Sequence, residues 1–145
     1  MTATRSPAPF VYAAKGQRTA DITDGTSKTL MLGETVQGQR VDVRGHTWWI
    51  NGTSFVTSLR PNDTNPDVVN HPSCDPNVPN PPCITGGGTA SNGGALRAFA
   101  ARSQHPAGVG VSMCDGSSRF LNDDIDPIAW KALGTSKGGE LAAVD

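Results

Sequence analysis

The segment HPAGVGVSMCDGSSRF, residues 105–120, holds the residue types that a hydrolase uses for nucleophilic catalysis. Cys114, Ser117 and Ser118 are candidate nucleophiles, and His105 is the candidate base that would activate one of them. This segment contains no Gly-x-Ser-x-Gly elbow, however, and neighbouring residues of a strand point to opposite faces of a sheet. We therefore predict two strands and a turn here, in a protein that is not an enzyme.

Two aspartate-rich stretches are candidate metal sites, because calcium takes about six to eight oxygen ligands in flexible geometry. NDDID supplies Asp123, Asp124 and Asp126, and DITD supplies Asp21 and Asp24. The spacing of an EF-hand is absent, and helix capping with charge that complements the helix dipole explains NDDID equally well. We predict no cofactor, with calcium at these five aspartates as the open alternative.

The cysteines bear on the cellular compartment. Cys74 and Cys83 lie in HPSCDPNVPNPPC, a polar, proline-rich segment without a helical or strand pattern. A disulfide would order such a segment, since it restricts the unfolded chain and stabilises by about 2–4 kcal/mol. We predict a Cys74–Cys83 disulfide and an oxidising, extracytoplasmic location, with two unrelated free thiols as the alternative. Cys114 lies within an apolar alternation and is predicted to be a buried small residue.

Two Asn-x-Thr triplets are candidate glycosylation sites, at Asn51 and at Asn62. Both are predicted to lie on a hairpin turn or an exposed loop, where a glycan fits. Asn51-Gly52 also favours a tight turn because both residues tolerate positive φ, and the turn alone explains Asn51.

The elements that position these residues belong to one small domain, because the chain has 145 residues, 17 glycines and 11 prolines. Glycine and proline disfavour long helices and favour short strands joined by turns. The pattern predicts strands at TLMLGETV, VDVRGHTWWI, TSFVTSL, GVGVSMC and SSRFL, with Asp115-Gly116 as the turn between the last two. In that turn, Asp115 is expected because it accepts left-handed geometry. The predicted fold class is mainly β (α+β), with an antiparallel sheet of about four to six strands.

Three further segments surround the predicted sheet. DPIAWKALG predicts a short C-terminal helix that Asp126 caps, Pro127 begins and a left-handed Gly134 ends. Residues 60–94 form a long irregular loop rich in proline, glycine and asparagine, and residues 1–12 form an arm that is mobile or ordered by a partner. Residues 13–145 are then a single domain. Three residues of the helix are predicted to face the sheet: Ile128, Ala132 and Leu133.

The charge balance excludes some classes of partner. Charged residues make up 17% of the chain and the formal net charge is −1, whereas a nucleic-acid-binding protein needs a basic face. The sequence also lacks a run of roughly 20 apolar residues that could span a bilayer. We therefore expect no nucleic-acid partner and no membrane span in this chain.

Two motifs resemble those of the planctomycete prepilin-type (pseudopilin-like) proteins, also called the domain of unknown function 1559 family. That family's C-terminal signature is a histidine, nine residues and Asp-Gly, which His105, Asp115 and Gly116 match. ADITDGTSKTLMLGE resembles its internal motif, with matches that include Asp24, Gly25 and Glu34. The resemblance is loose over residues 10–59 and close over residues 95–145.

The resemblance implies an exported envelope protein associated with filaments or secretion machinery, and it carries over no catalytic residues. Family members begin with a prepilin cleavage site and a long apolar helix, which this sequence does not show, so we expect a pilin-like globular head without that helix. The leading hypothesis is an extracellular or cell-envelope structural subunit that assembles with copies of itself into a surface filament or pilus-like fibre. The alternative is an exported glycan- or protein-binding module that uses the 60–94 loop and Trp48 or Trp49. A hydrolase is the remote alternative.

Overall fold

The computed structural model describes residues 8–10, 16–46, 54–69, 74–77, 79–86 and 98–139. These ranges contain two short 3-10 helices (Thr19–Asp21 and Thr26–Lys28), five strands and one α-helix. In chain order they are β1 (Leu30–Gly33), β2 (Asp67–Val69), β3 (Cys83–Thr85), β4 (Gly108–Met113), β5 (Ser118–Asn122) and α1 (Pro127–Leu133). This architecture confirms the predicted mainly β (α+β) class with one short helix.

The central sheet is antiparallel, with the strand order β1-β4-β5. In β4, the alternation of GVGVSM directs Val109, Val111 and Met113 to the core, and all three are almost fully buried. Gly108 and Gly110 fall on the other face. The sheet therefore has a packed inner face and an outer face whose middle strand carries two glycines.

The core lies between the inner face of this sheet and α1. Trp130 on α1 is fully buried, and its ring stacks against Phe55 with the centroids 6.0 Å apart. The indole N–H donates to the carbonyl of Leu59 over 2.6 Å, which satisfies the one polar group that this side chain buries. The buried members of the cluster are Leu30, Ala101, Val109, Val111, Met113, Leu121, Trp130, Ala132 and Leu133.

The predicted helix is confirmed in position, but two of its details are wrong. Asp126 caps it as expected, because its carboxylate accepts hydrogen bonds from the N–H groups of Ile128 and Ala129 at 2.9 Å. Ile128 was predicted to face the core but is 76% exposed, and Trp130 is the buried residue instead. Gly134 has right-handed dihedrals (φ −81°, ψ −4°). Glycine is required there because a Cβ would clash with the side chain of Thr57.

The β4–β5 hairpin is confirmed, with one correction to its turn. Gly116 is left-handed, at φ +85°, as predicted. Asp115 keeps a negative φ. Its carboxylate instead accepts hydrogen bonds from the N–H and the hydroxyl of Ser117 at 2.9 and 2.7 Å. The side chain thus closes the turn by bonding to the backbone two residues on.

The middle of the chain differs from the prediction. Residues 41–46 and 54–59 form no strand, while residues 47–53, with the predicted hairpin turn at Asn51, lie outside the described ranges. The predicted irregular segment 60–94 instead contains β2 and β3, which pair in parallel. The antiparallel sheet therefore has three strands in the described part of the chain, and a separate two-stranded parallel sheet makes up the rest.

Candidate functional site

The signature residues lie at opposite ends of one hairpin strand. His105 precedes β4, and Asp115 and Gly116 form the turn that follows it. At about 3.3 Å per residue, the six residues of β4 alone span roughly 20 Å. The spacing of nine residues therefore reflects the length of a strand and its turn, and it does not bring the histidine to the Asp-Gly pair.

The histidine end of β4 carries the signature cluster, which we define as Glu34, His105 and Phe120 on the outer face of the sheet. Nε2 of His105 lies 3.2 Å from one carboxylate oxygen of Glu34, and the other oxygen accepts the N–H of Gly110 over 2.6 Å. The rings of His105 and Phe120 meet edge to face, with their centroids 6.2 Å apart. Gly108 and Gly110 leave room for this cluster, since a Cβ at Gly108 would come within 2.6 Å of the Phe120 ring.

The loop before β4 is held by side-chain hydrogen bonds to backbone. The hydroxyl of Ser103 donates to the carbonyl of Gly108 over 2.6 Å and accepts the N–H of His105 over 3.1 Å. Asn62 accepts the N–H of Ser103 over 2.8 Å and donates to Asp123 over 2.8 Å. Because its half-buried side-chain nitrogen already donates to Asp123, a glycan on Asn62 would have to disturb this arrangement. The other candidate acceptor, Asn51, lies outside the described residues.

The internal motif packs against the opposite end of the hairpin and against the segment after α1. The carbonyls of Thr26 and Thr29 accept the N–H groups of Asp115 and Cys114, at 3.1 and 2.8 Å. Asp24 accepts the N–H groups of Gly138 and Gly139 at 2.7 and 2.9 Å. Gly25 has φ +100°, a backbone conformation that glycine adopts readily, which explains why glycine occupies this position. Glu34, at the end of this motif, contacts His105, so the two motifs form one set of tertiary contacts.

The two motifs therefore belong to a single structural unit. A comparison with family models gives one match that spans both motifs. A model described as "Protein of unknown function (DUF1559)" matches residues 2–128. The chain belongs to the DUF1559 family. The match is continuous through residues 60–94, which the two motifs leave out. Comparisons with curated proteins and with solved structures gave no significant match.

In this DUF1559 chain, the ring of His105 contacts none of the candidate nucleophiles Cys114, Ser117 and Ser118. Ser117 donates its hydroxyl to Asp115, and the Cys114 thiol points to the carbonyl of Leu30 at 3.7 Å. Burial raises the pKa of Cys114, and the nearby charge of Asp115 adds to this, which opposes formation of a thiolate. Within the described residues, the ring of His105 forms a hydrogen bond with Glu34 and with no serine or cysteine. Ser118 lies beyond the turn, at the far end of the hairpin.

A second serine pattern was missed in the sequence. Residues 134–138 read GTSKG, which has the spacing of a nucleophile elbow. An elbow joins a strand to a helix, whereas this segment follows a helix, and Ser136 is fully buried. Its hydroxyl accepts a hydrogen bond from Gln17 over 3.0 Å, and its carbonyl accepts the N–H of Thr23 over 2.8 Å. Ser136 thus anchors the C-terminal segment to the internal motif.

The candidate calcium ligands are dispersed in the DUF1559 chain. Asp21 pairs with Arg18 at 3.0 Å, Asp123 accepts from Asn62, and Asp126 caps α1. In the ranges that the structure covers, no three acidic, histidine or cysteine side chains come together as a metal site. Asp24 accepts hydrogen bonds from the two backbone N–H groups described above and from the hydroxyl of Thr135. Asp124 lies in the turn between β5 and α1.

The described part of the chain also bears on membrane association. None of its helices is long and apolar enough to cross a bilayer.

Sequence reasoning missed a buried ion network, which we define as Asp42, Arg44, Asp67 and Arg102. Arg44 contacts Asp42 at 2.6 Å and Asp67 at 2.7 Å, and Arg102 contacts Asp67 at 2.8 Å. The side chains are between 0% and 8% exposed. Two carboxylates and two guanidiniums alternate in this network, so the formal charges balance, as buried charges require.

This network fastens two described parts of the 60–94 segment, residues 60–69 and 79–86, to the rest of the fold. Arg44 also donates to the carbonyls of Pro81 and Pro82, and Arg102 donates to those of Asp63 and Asn65. Burial acts to raise the pKa of Asp42, but hydrogen bonds from Arg44 outweigh it, so the pKa lies below its ordinary value. The signal in the sequence was VDVRG, in which aspartate and arginine alternate within an apolar pattern.

The predicted disulfide is confirmed and lies beside this network. Cys74 and Cys83 are bonded, and Cys83 begins β3. The sulfur of Cys83 lies 4.0 Å from a carboxylate oxygen of Asp42. Cys74 and Cys83 also pack with Val69 and Phe99 in a second apolar cluster. Covalent, ionic and apolar contacts thus order the same segment.

Proposed function

We propose that the protein is a non-enzymatic structural subunit of the extracellular or cell-envelope surface, and that it assembles with copies of itself into a filament. Membership of the DUF1559 family and the disulfide support export, since disulfides persist in oxidising compartments. The tertiary contacts of both motifs support a structural role, because their polar side chains bond to neighbouring backbone and side chains. The prepilin-type origin implied by the motifs belongs to this proposal.

The observation that carries the proposal is a sheet with two open edges. The order β1-β4-β5 places β1 and β5 at opposite edges, and no other described strand pairs with either. Unpaired N–H and C=O groups at an edge are templates for another chain. Pairing β5 of one copy with β1 of the next uses two different surfaces, and such a contact propagates into a fibre unless rotation closes a ring.

The β1 edge has the apolar surface that such a contact would bury. Leu32 on β1 is 58% exposed, although edge strands usually carry charge or proline that blocks pairing. A groove of about 410 Å³ runs beside it, with Pro9, Phe10 and Val56 among its lining residues. Phe10 is itself 70% exposed. An incoming strand could therefore gain apolar burial together with backbone hydrogen bonds.

Electron microscopy and sedimentation of the disulfide-intact protein would test this, with Leu32→Lys as the edge variant. We expect the wild type to form regular filaments and the variant to remain small, because the charge must be desolvated when the edge pairs. Ile128→Lys is the matched control, since Ile128 is an apolar residue on α1 that is 76% exposed, which is more than Leu32. Filaments from Leu32→Lys as readily as from the control, or a wild type that stays monomeric at every concentration, would contradict the proposal.

A further inference from the structure

We propose that the cleft beside Arg40 binds an anionic saccharide, with the guanidinium of Arg40 holding a uronate carboxylate. The Arg40 cleft is an open depression of about 770 Å³ lined by residues 34–40, His46 and residues 102–104. The cleft shares no lining residue with the groove beside β1, and the inference does not depend on filament assembly.

Arg40 occupies a backbone position that normally excludes its residue type. The N–H of Asp42 donates to the carbonyl of Gln39 over 3.2 Å, which makes Arg40 the second residue of a tight turn. Its φ is +60°, whereas a turn with positive φ there usually carries glycine, asparagine or aspartate. Such outliers cluster at ligand sites, where the side chain matters more than the backbone strain. The strained geometry therefore points to a use for the guanidinium.

The surrounding structure holds this turn rigidly. Asn80, which is 7% exposed, accepts the N–H of Gln39 over 2.6 Å and donates to its carbonyl over 3.2 Å. The N–H of Gly38 donates to the carbonyl of Arg44 over 2.8 Å, which links the turn to the buried ion network. The backbone of the turn is therefore fixed before a ligand binds, so binding does not have to order it and the entropy cost is smaller.

The charges around the cleft leave Arg40 free for an anion. Arg102 also lines the cleft, but its charge is balanced by Asp67. Both carboxylate oxygens of Glu34 are engaged, by Gly110 and by His105. Among the described residues, Arg40 pairs with no carboxylate. A guanidinium of this kind binds carboxylates in a bidentate geometry.

The rest of the lining favours a sugar over a peptide. Gln37, Gln39 and Gln104 each carry a side-chain amide that offers both donors and an acceptor, as sugar hydroxyl groups also do. Val36 is the one apolar side chain of any size among the described lining residues, so the cleft offers no anchor pocket for an apolar peptide side chain. Net charge near zero also argues against a long polyanion.

Calorimetric titration of the disulfide-intact full chain with trigalacturonate would test the site, with maltotriose as the neutral sugar and inorganic sulfate as the simple anion. We expect trigalacturonate to bind and the other two to bind at least about tenfold more weakly, because maltotriose lacks the carboxylates and sulfate lacks the sugar hydroxyls. Arg40→Gln should weaken binding of trigalacturonate by about tenfold or more. Arg60→Gln changes the net charge equally at an exposed arginine outside the cleft, and it should leave binding unchanged.

A second variant separates the charge from the backbone. Arg40→Gly removes the guanidinium and suits positive φ, so it should abolish binding while the melting temperature stays equal or rises. The proposal is overturned if trigalacturonate fails to bind, if maltotriose or sulfate binds as tightly, or if Arg60→Gln loses as much affinity as Arg40→Gln. An Arg40→Gly protein that melts below the wild type would refute the strain argument.

Discussion

Replacing Arg44 by methionine tests whether the buried ion network holds the middle of the chain in place. Methionine approximates the unbranched apolar stem of the arginine side chain and removes the guanidinium. The change leaves the carboxylate of Asp42, which is 0% exposed, without its ion-pair partner. It also removes the donors that the carbonyls of Pro81 and Pro82 use. Asp67 retains Arg102, so the loss falls mainly on Asp42 and on the segment before β3.

The size of the effect follows from this geometry. Removing one partner of a buried pair leaves an uncompensated charge and typically destabilises by about 3–5 kcal/mol. In a domain of this size, each kcal/mol lowers the melting temperature by about 2–4 °C, so we expect a fall of roughly 6–20 °C. Adding Asp42→Asn to Arg44→Met removes the stranded anion and should recover at least about 1 kcal/mol.

Urea unfolding monitored by tryptophan fluorescence would measure these differences at neutral and acidic pH. Hydrogen bonds from Arg44 keep the folded pKa of Asp42 low, so its stabilisation is present above the unfolded pKa and is lost as the pH falls through the folded value. In Arg44→Met the buried carboxyl of Asp42 favours its protonated form. The difference in the free energy of unfolding between this variant and the wild type should therefore become smaller at acidic pH. Arg18→Met is the control, since its pair with Asp21 is exposed and screened by solvent, and it should change stability much less than Arg44→Met does. A loss below about 1 kcal/mol for Arg44→Met, or a double variant less stable than the single one, would refute the reasoning.

Two further predictions concern the disulfide and an exposed carboxylate. Serine at both Cys74 and Cys83 should lower the free energy of unfolding by about 2–4 kcal/mol, as measured in denaturant, because the bond closes a short loop of the unfolded chain; a difference below about 1 kcal/mol would show that the ion network alone orders the segment. Hydrogen bonds from Arg18 lower the pKa of Asp21 to about 2, so its contribution to stability is present above the ordinary value of 3.8 and is lost as the pH falls through about 2. Carbon-13 NMR titration of Arg18→Gln should return the Asp21 midpoint toward 3.8, and an unchanged midpoint would contradict this cause.

Local patterns predicted the C-terminal half of this fold well. The β4–β5 hairpin follows from an apolar alternation broken by Asp-Gly, and α1 follows from Asp126, Pro127 and a terminal glycine. Each of these signals acts within a few residues, so it does not depend on how the rest of the chain folds. Details that depend on distant partners were wrong. Gly134 is required by its contact with Thr57, about 80 residues away in the chain, and no local rule contains that contact.

The prediction for the middle of the chain was wrong for a different reason, because charged residues occupy core positions there. No local pattern marks Asp42, Arg44 and Asp67 as core residues, because charged residues are rarely buried unless they are paired. Their pairing joins residues 23 apart in the chain, and only the folded structure shows that it exists. Once the network is formed, its arginines bind the carbonyls of a proline-rich segment that has few N–H groups to build a sheet. The arginines therefore order the segment by donating to its backbone carbonyls. Hydrophobic periodicity and turn signals do not predict such contacts.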